Sequence, residues 1–168
     1  MAALQGYSEI LVVQRLIKTG CIPAGIEWML RYLKTPGVNF DGFQERHDLE
    51  AQKVEKNSFY SVRTHVECEI PNIEFSDNPF SSGREKIEFI KGLIEKSRPC
   101  LISLLKDDGS CCHIVPVVEI DDENMIVLRM DDKETVEEQK RSRLLSDIEQ
   151  IHDENLKSGK GLDILFVK

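Results

Sequence analysis

Apolar positions along the chain fall into two regimes. After Gly20-Cys21-Ile22-Pro23, residues Ile26, Met29, Leu30 and Leu33 recur at helical spacing, and Lys34-Thr35-Pro36-Gly37 stops the run. Pro23 belongs in the first turn of that helix, where its fixed φ and missing N–H are tolerated, so Cys21 stands just ahead of the helix N-terminus. Between Val38 and Pro79 the pattern is mixed. Asp48 to Lys56 is polar and compatible with a helix, and Ser61 to Ile70 alternates weakly like a strand. Ser81-Ser82 with Glu85 resembles a capping box, and Ile87, Ile90, Leu93 and Ile94 continue it as a helical face that ends near Ser97-Arg98-Pro99.

From Cys100 the helical period gives way to short apolar runs broken by turns. Cys100 to Leu105, Cys111 to Ile120 and Met125 to Met130 read as a three-stranded antiparallel meander. Glu134 to Leu156 is highly charged, with Val136, Leu144, Leu145, Ile148 and Ile151 on an interrupted stripe, which predicts a surface helix. Leu162 to Val167 closes as a final strand. No internal repeat or Gly/Ser linker divides the chain, so residues 1–168 read as one α+β domain with helices early and a sheet late.

Composition narrows the partners. The 168 residues are 40% hydrophobic and 31% charged, an ordinary globular balance. A formal charge of -8 works against a broad surface for nucleic acid or acidic lipid. Apolar runs such as Ile10 to Val13 and Ile114 to Val118 are far shorter than the roughly twenty residues a bilayer span needs. The start, Met1-Ala2-Ala3-Leu4-Gln5-Gly6, does not resemble a secretory signal, so the expected compartment is the cytoplasm. Five cysteines, an odd number at irregular spacing, then argue for free thiols.

A thiol beside a helix N-terminus gains thiolate character from unpaired N–H groups, and Cys21 occupies such a place; position alone also suits a small buried hydrophobe. Of the four histidines, His47, His65 and His152 lie in polar surroundings that suit a solvated surface, whereas His113 opens an apolar β-run directly after a turn. Across the Asp121 to Asn124 turn, an antiparallel register returns Asp131 or Asp132 to His113, and either carboxylate could fix the imidazole tautomer. Cys100, Cys111, Cys112 and His113 fall on neighbouring strands, but adjacent Cys111 and Cys112 point to opposite faces and no Cys-x-x-Cys is present, so no metal is expected. Cys100 and Cys112 are expected in the core, and Cys111 on the strand face of His113. Gly109, Gly159 and Gly161 form no phosphate-binding fingerprint, and no cofactor is expected.

Together these residues resemble the papain-like cysteine peptidases of the bacteriocin-leader-processing, double-glycine type and their stand-alone relatives. The likeness rests on Gln14, followed seven positions later by Cys21 in Thr19-Gly20-Cys21-Ile22-Pro23-Ala24, on the helix through Trp28 and Tyr32, on His113 opening a strand, and on Asp131 closing the next. Ile22 stands where the family commonly has Gly, and no Pro follows Asp131. The resemblance implies a papain-like α+β fold, with a helix carrying Cys21 packed on a C-terminal antiparallel sheet. It makes Cys21 the nucleophile, His113 the base and Asp131 its orienting carboxylate, with Gln14 sharing an oxyanion hole with the Cys21 N–H. The implied activity is hydrolysis of a peptide or isopeptide bond in a peptide or protein substrate, through a Cys21 thioester. A binding or scaffold protein that keeps the fold with an inert triad is the alternative. Oligomeric state and substrate identity are open.

Overall fold

The structure, a computed structural model, describes residues 1–16, 20–77, 79–105, 112–131, 133–157 and 164–168. In chain order its elements are β1 (Ala2–Ala3), a 3-10 turn at Tyr7–Glu9, α1 (Cys21–Tyr32), α2 (Phe43–His47), α3 (Phe59–Glu69), β2 (Phe75–Asp77) and α4 (Gly83–Glu95). There follow β3 (Cys100–Leu105), β4 (Cys112–Ile120), β5 (Asn124–Leu128), α5 (Val136–Gln139), β6 (Lys140–Leu144), α6 (Leu145–Lys157) and β7 (Ile164–Val167). The strands form one antiparallel sheet in the order β2-β7-β3-β4-β5-β6, and β1 pairs with the far end of β4, Ala2 opposite Ile120.

Helix α1 is buried from Ile22 to Leu30, polar Glu27 included, because it packs against β3 and β4 and against α2 and α3. A helix enclosed this way reads as nearly continuous apolar sequence rather than as a stripe. Its approach to the sheet depends on Gly25, where an added Cβ would sit 3.0 Å from a Leu101 methyl. It ends where Lys34 takes a left-handed φ of 51° and the Thr35 N–H returns to the Leu30 carbonyl, 3.1 Å away. As predicted, α4 follows Ser82, whose side chain accepts from the Glu85 N–H at 3.2 Å. The Glu85 carboxylate reaches back to Ser81 rather than to the cap residue itself.

Three expectations fail, each for a local reason. Ser61 to Ile70 is not a strand but most of α3: Ser58 and Ser61 exchange side-chain and backbone bonds in a capping box, and Phe59, Val62 and Val66 then fall on one buried face. The β-branched Val62, Thr64 and Val66 imitate alternation, but the cap selects the helical period. Asp48 to Lys56 is a run of turns rather than a helix. Asp48 Oδ1 accepts from the Ala51 N–H and the Asn57 amide, and Asn57 Oδ1 accepts from the Leu49 N–H, so side chains take over the backbone's bonds. Glu134 to Leu156 is not one helix: α5 is four residues, Lys140–Leu144 is the edge strand β6 paired to β5, and α6 begins only at Leu145. Lys140, Arg141 and Arg143 hide that strand from a hydrophobic reading, as charge on an edge strand commonly does. The predicted meander is present as β3, β4 and β5, and the final strand spans Ile164–Val167; Leu162 and Asp163 lie outside the described residues.

Candidate active site

Cys21 is the first residue of α1 and is half-buried against the core. Ahead of it, one acceptor serves two donors. The Leu16 carbonyl takes the Gly20 N–H at 2.9 Å and the Gln14 amide Nε2 at 2.9 Å, tying the Gln14 side chain to the residue before Cys21. Gly20 is demanded by this approach, since a Cβ there would collide with the Leu16 carbonyl oxygen and lie 2.9 Å from the Leu16 Cβ. Thr19 lies outside the described residues.

Gln14 is buried and lies beside Asp131. Its N–H donates to the Met130 carbonyl at 2.9 Å, and Gln14 and Asp131 form a parallel bridge. Two buried glutamines, neither singled out in the sequence, secure this segment. Gln44 of α2 donates to the Val13 carbonyl and accepts from the Arg15 N–H, both at 2.9 Å, so its amide brackets Gln14. Gln139 of α5 donates to the Val12 carbonyl at 2.9 Å and to the Lys133 carbonyl at 3.1 Å, joining the strand-like segment at 12–15 to the chain just past Asp131. A buried amide between polar charged neighbours carries no sequence signal beyond being a Gln where an apolar residue would also fit.

His113 is the second residue of β4 and is buried; its Nε2 is 3.7 Å from Asp131 Oδ1. A bulge in the hairpin brings these two into register. Val117 pairs with Val127, but Glu119 pairs with Ile126 and Ile120 with Met125, so β4 carries one residue more than β5. Four residues on from the Val117–Val127 pair, His113 stands across from Asp131; without the bulge, the Ile120–Met125 offset would carry it to Asp132. Asp132 itself lies outside the described residues. Arg129 holds Asp131 from the same strand end, Nε to Oδ1 at 2.9 Å and Nη2 to Oδ2 at 3.2 Å. Burial pushes the Asp131 carboxyl up, but the Arg129 hydrogen bonds and the His113 charge outweigh it and hold the group below its ordinary value. Gln14, His113 and Asp131 are thus brought together on adjacent strand ends, and α1, which Cys21 opens, packs across β4.

The remaining candidates separate from this site. Cys100 is buried in the core as expected, and burial pushes its thiol up to about 12, far from any thiolate. Cys68 is exposed. Cys111 and the side chain of Cys112 lie outside the described residues. The expectation of three solvated histidines is corrected: His65 is exposed, but His47 and His152 are buried. His47 packs tilted against the Phe43 ring, its Nε2 is 2.7 Å from a Glu69 carboxylate oxygen, and its Nδ1 is 2.7 Å from His65 Nδ1. His152 lies under Phe80, Nε2 3.5 Å from its carbonyl. The His47 ring fills the gap between α2 and α3, and the polar Asp48 beside it is buried as well. Among the described residues no helix is long and apolar enough to cross a membrane.

The whole chain superposes on a crystal structure described as a C39-like peptidase from Bacillus anthracis, with a TM-score of 0.58 and 14% identity over 100% of this chain and 98% of that one. The Pseudomonas avirulence protein AvrPphB aligns at a TM-score of 0.41 and 14% identity, over 96% of this chain and 98% of its own. No family model matches the chain. No curated protein sequence matches it. The likeness is one of fold: with its helices packed on one antiparallel sheet, this chain has the α+β fold of that C39-like peptidase.

Proposed function

We propose that the chain is a thiol hydrolase that cleaves a peptide or isopeptide bond of a peptide or protein substrate, with Cys21 as nucleophile and His113 as base. The observation that carries this reading is the His113–Asp131 pair, 3.7 Å apart, beside Gln14 and on the strand against which α1 packs. Nε2 of His113 faces the carboxylate, which assigns proton exchange with the thiol to Nδ1. The Cys21 thiolate attacks the substrate carbonyl carbon, and the oxyanion that forms is bound by the Cys21 N–H at the helix start and by the Gln14 amide. The imidazolium passes its proton to the leaving amine as the C–N bond breaks, leaving a Cys21 thioester. Water, deprotonated by His113, then hydrolyses the thioester and restores the thiol.

A second reading, an inert binding protein on the same fold, is favoured by two commitments: one Gln14 amide hydrogen is bonded to Leu16, and Asp131 is hydrogen-bonded to Arg129 rather than to His113. The two readings part on brief treatment of the native protein with limiting iodoacetamide at neutral pH, followed by mass spectrometry of each cysteine. An active site labels Cys21 first, and His113→Ala slows that labelling at least tenfold. Labelling spread over the exposed thiols, or insensitive to His113, would leave the binding protein as the surviving reading.

A further inference from the structure

Asp131 stands between two cationic groups, and they do not share it evenly. Arg129 and Asp131 are two residues apart on an extended strand end, so their side chains lie on one face. The guanidinium fork meets both carboxylate oxygens, at 2.9 and 3.2 Å. The oxygen that receives the Arg129 Nε–H, Oδ1, is also the one 3.7 Å from His113 Nε2, a separation that allows Coulomb attraction but is too long for a hydrogen bond. Among the described residues, the charged groups acting on this carboxylate are Arg129 from the end of β5 and His113 from β4. The neighbouring segment brings neutral Gln14, while Arg15 is paired with Glu27 and Glu45.

We propose that Arg129 is a positioning residue for the His113–Asp131 pair: it fixes the plane of the carboxylate and, by occupying Oδ1, limits the support Asp131 gives to a charged imidazole. The chemical consequence follows from the two jobs of the base. An imidazole braced by an undivided carboxylate takes the thiol proton readily but yields it reluctantly to the leaving amine; one whose carboxylate is shared with a permanent cation returns the proton more easily. Naming His113 the base rests on the function proposed above; the electrostatic coupling of the three residues does not.

The test is an NMR titration of the His113 ring, its signal assigned by loss in His113→Ala. In Arg129→Gln the titration midpoint of His113 should rise by about one pH unit relative to the native protein, because Asp131 is released to it. Arg129→Lys, which keeps the charge but not the fork, should give a smaller rise, and it carries the test if the Gln variant does not fold. In an Asp131→Asn background the Arg129→Gln effect should fall below half its size. A midpoint unchanged or lowered in both Arg129 variants, or a rise equally large without Asp131, would overturn the proposal. Cys21 labelling by iodoacetamide is read separately: unselective labelling with a preserved His113 shift defeats the hydrolase reading and leaves the Arg129 coupling standing, and the reverse outcome does the opposite.

Discussion

A single oxygen, the Leu16 carbonyl, links the proposed oxyanion donor to the turn before the nucleophile, and that linkage separates chemistry from packing at the level of one residue. Gln14→Ala should lower hydrolysis of an activated ester such as p-nitrophenyl acetate by about 10²-fold or more, since an oxyanion donor acts where charge develops in the transition state. Alkylation of Cys21 by iodoacetamide forms no oxyanion, so it should stay within about twofold of the native rate; equal loss in both assays would mean that Gln14 only supports the fold. Gly20→Ala makes the contrasting case. Its Cβ meets the Leu16 carbonyl, so the turn must shift, and both assays should fall together with a destabilisation of about 1–3 kcal/mol in urea titrations. An unaltered unfolding midpoint for this variant would contradict the close approach.

At the scale of elements, what positions the site is a set of buried side-chain bonds to the main chain. Gln44 of α2 brackets Gln14 from one side, and Gln139 of α5 joins Val12 to Lys133 from the other. Each truncation leaves backbone groups of the 12–15 segment without a protein partner, so Gln44→Ala and Gln139→Ala should each cost about 1–3 kcal/mol in denaturant titrations. Both should also slow Cys21 alkylation; stability lost with alkylation unchanged would show that the segment does not set the site. Helices α1 and α4 and the head of β4 were legible in the sequence because each has a strong local signal: Pro23 in a first turn, an N-capping Ser82, His113 at the head of an apolar run. The middle was illegible for an equally local reason. At Val62, Thr64 and Val66 the β-branched residues speak for a strand, and only the Ser58–Ser61 cap, which needs no Glu or Gln, opposes them. Choosing between Asp131 and Asp132 required knowing of one extra residue in β4, and a Val-Val pair inside an apolar strand carries no mark of a bulge. Strand β6 shows no apolar alternation because its pairing to β5 is a backbone property.

For the molecule as a whole, acid should be the weak side. Burial pushes His47 down to about 4, partly opposed by Glu69, so the ring stays neutral in the fold while it titrates near 6.5 once unfolded. Between those values the unfolded chain binds a proton that the folded chain refuses. Stability is therefore complete above about pH 6.5 and declines as pH falls toward 4, below which this contribution is level. Asp131, held below its ordinary value, adds a loss at still lower pH as it protonates. The melting temperature should fall steadily from pH 7 to 4.5, and His47→Gln should flatten that slope; an unchanged slope would show that His47 is not the group responsible. The bond from Gln139 to Val12 spans 127 positions, and the Gln14 N–H reaches Met130 across the same divide. During synthesis, then, the segment carrying Gln14 can meet Gln44 of α2 early, but its bonds to Met130 and Gln139 wait until those much later residues have been made. A growing polypeptide exposes Cys21 well before His113 and Asp131 are made, so on the proposed function any hydrolytic capacity would appear only once those later residues have docked, and the shorter nascent chain would be spared.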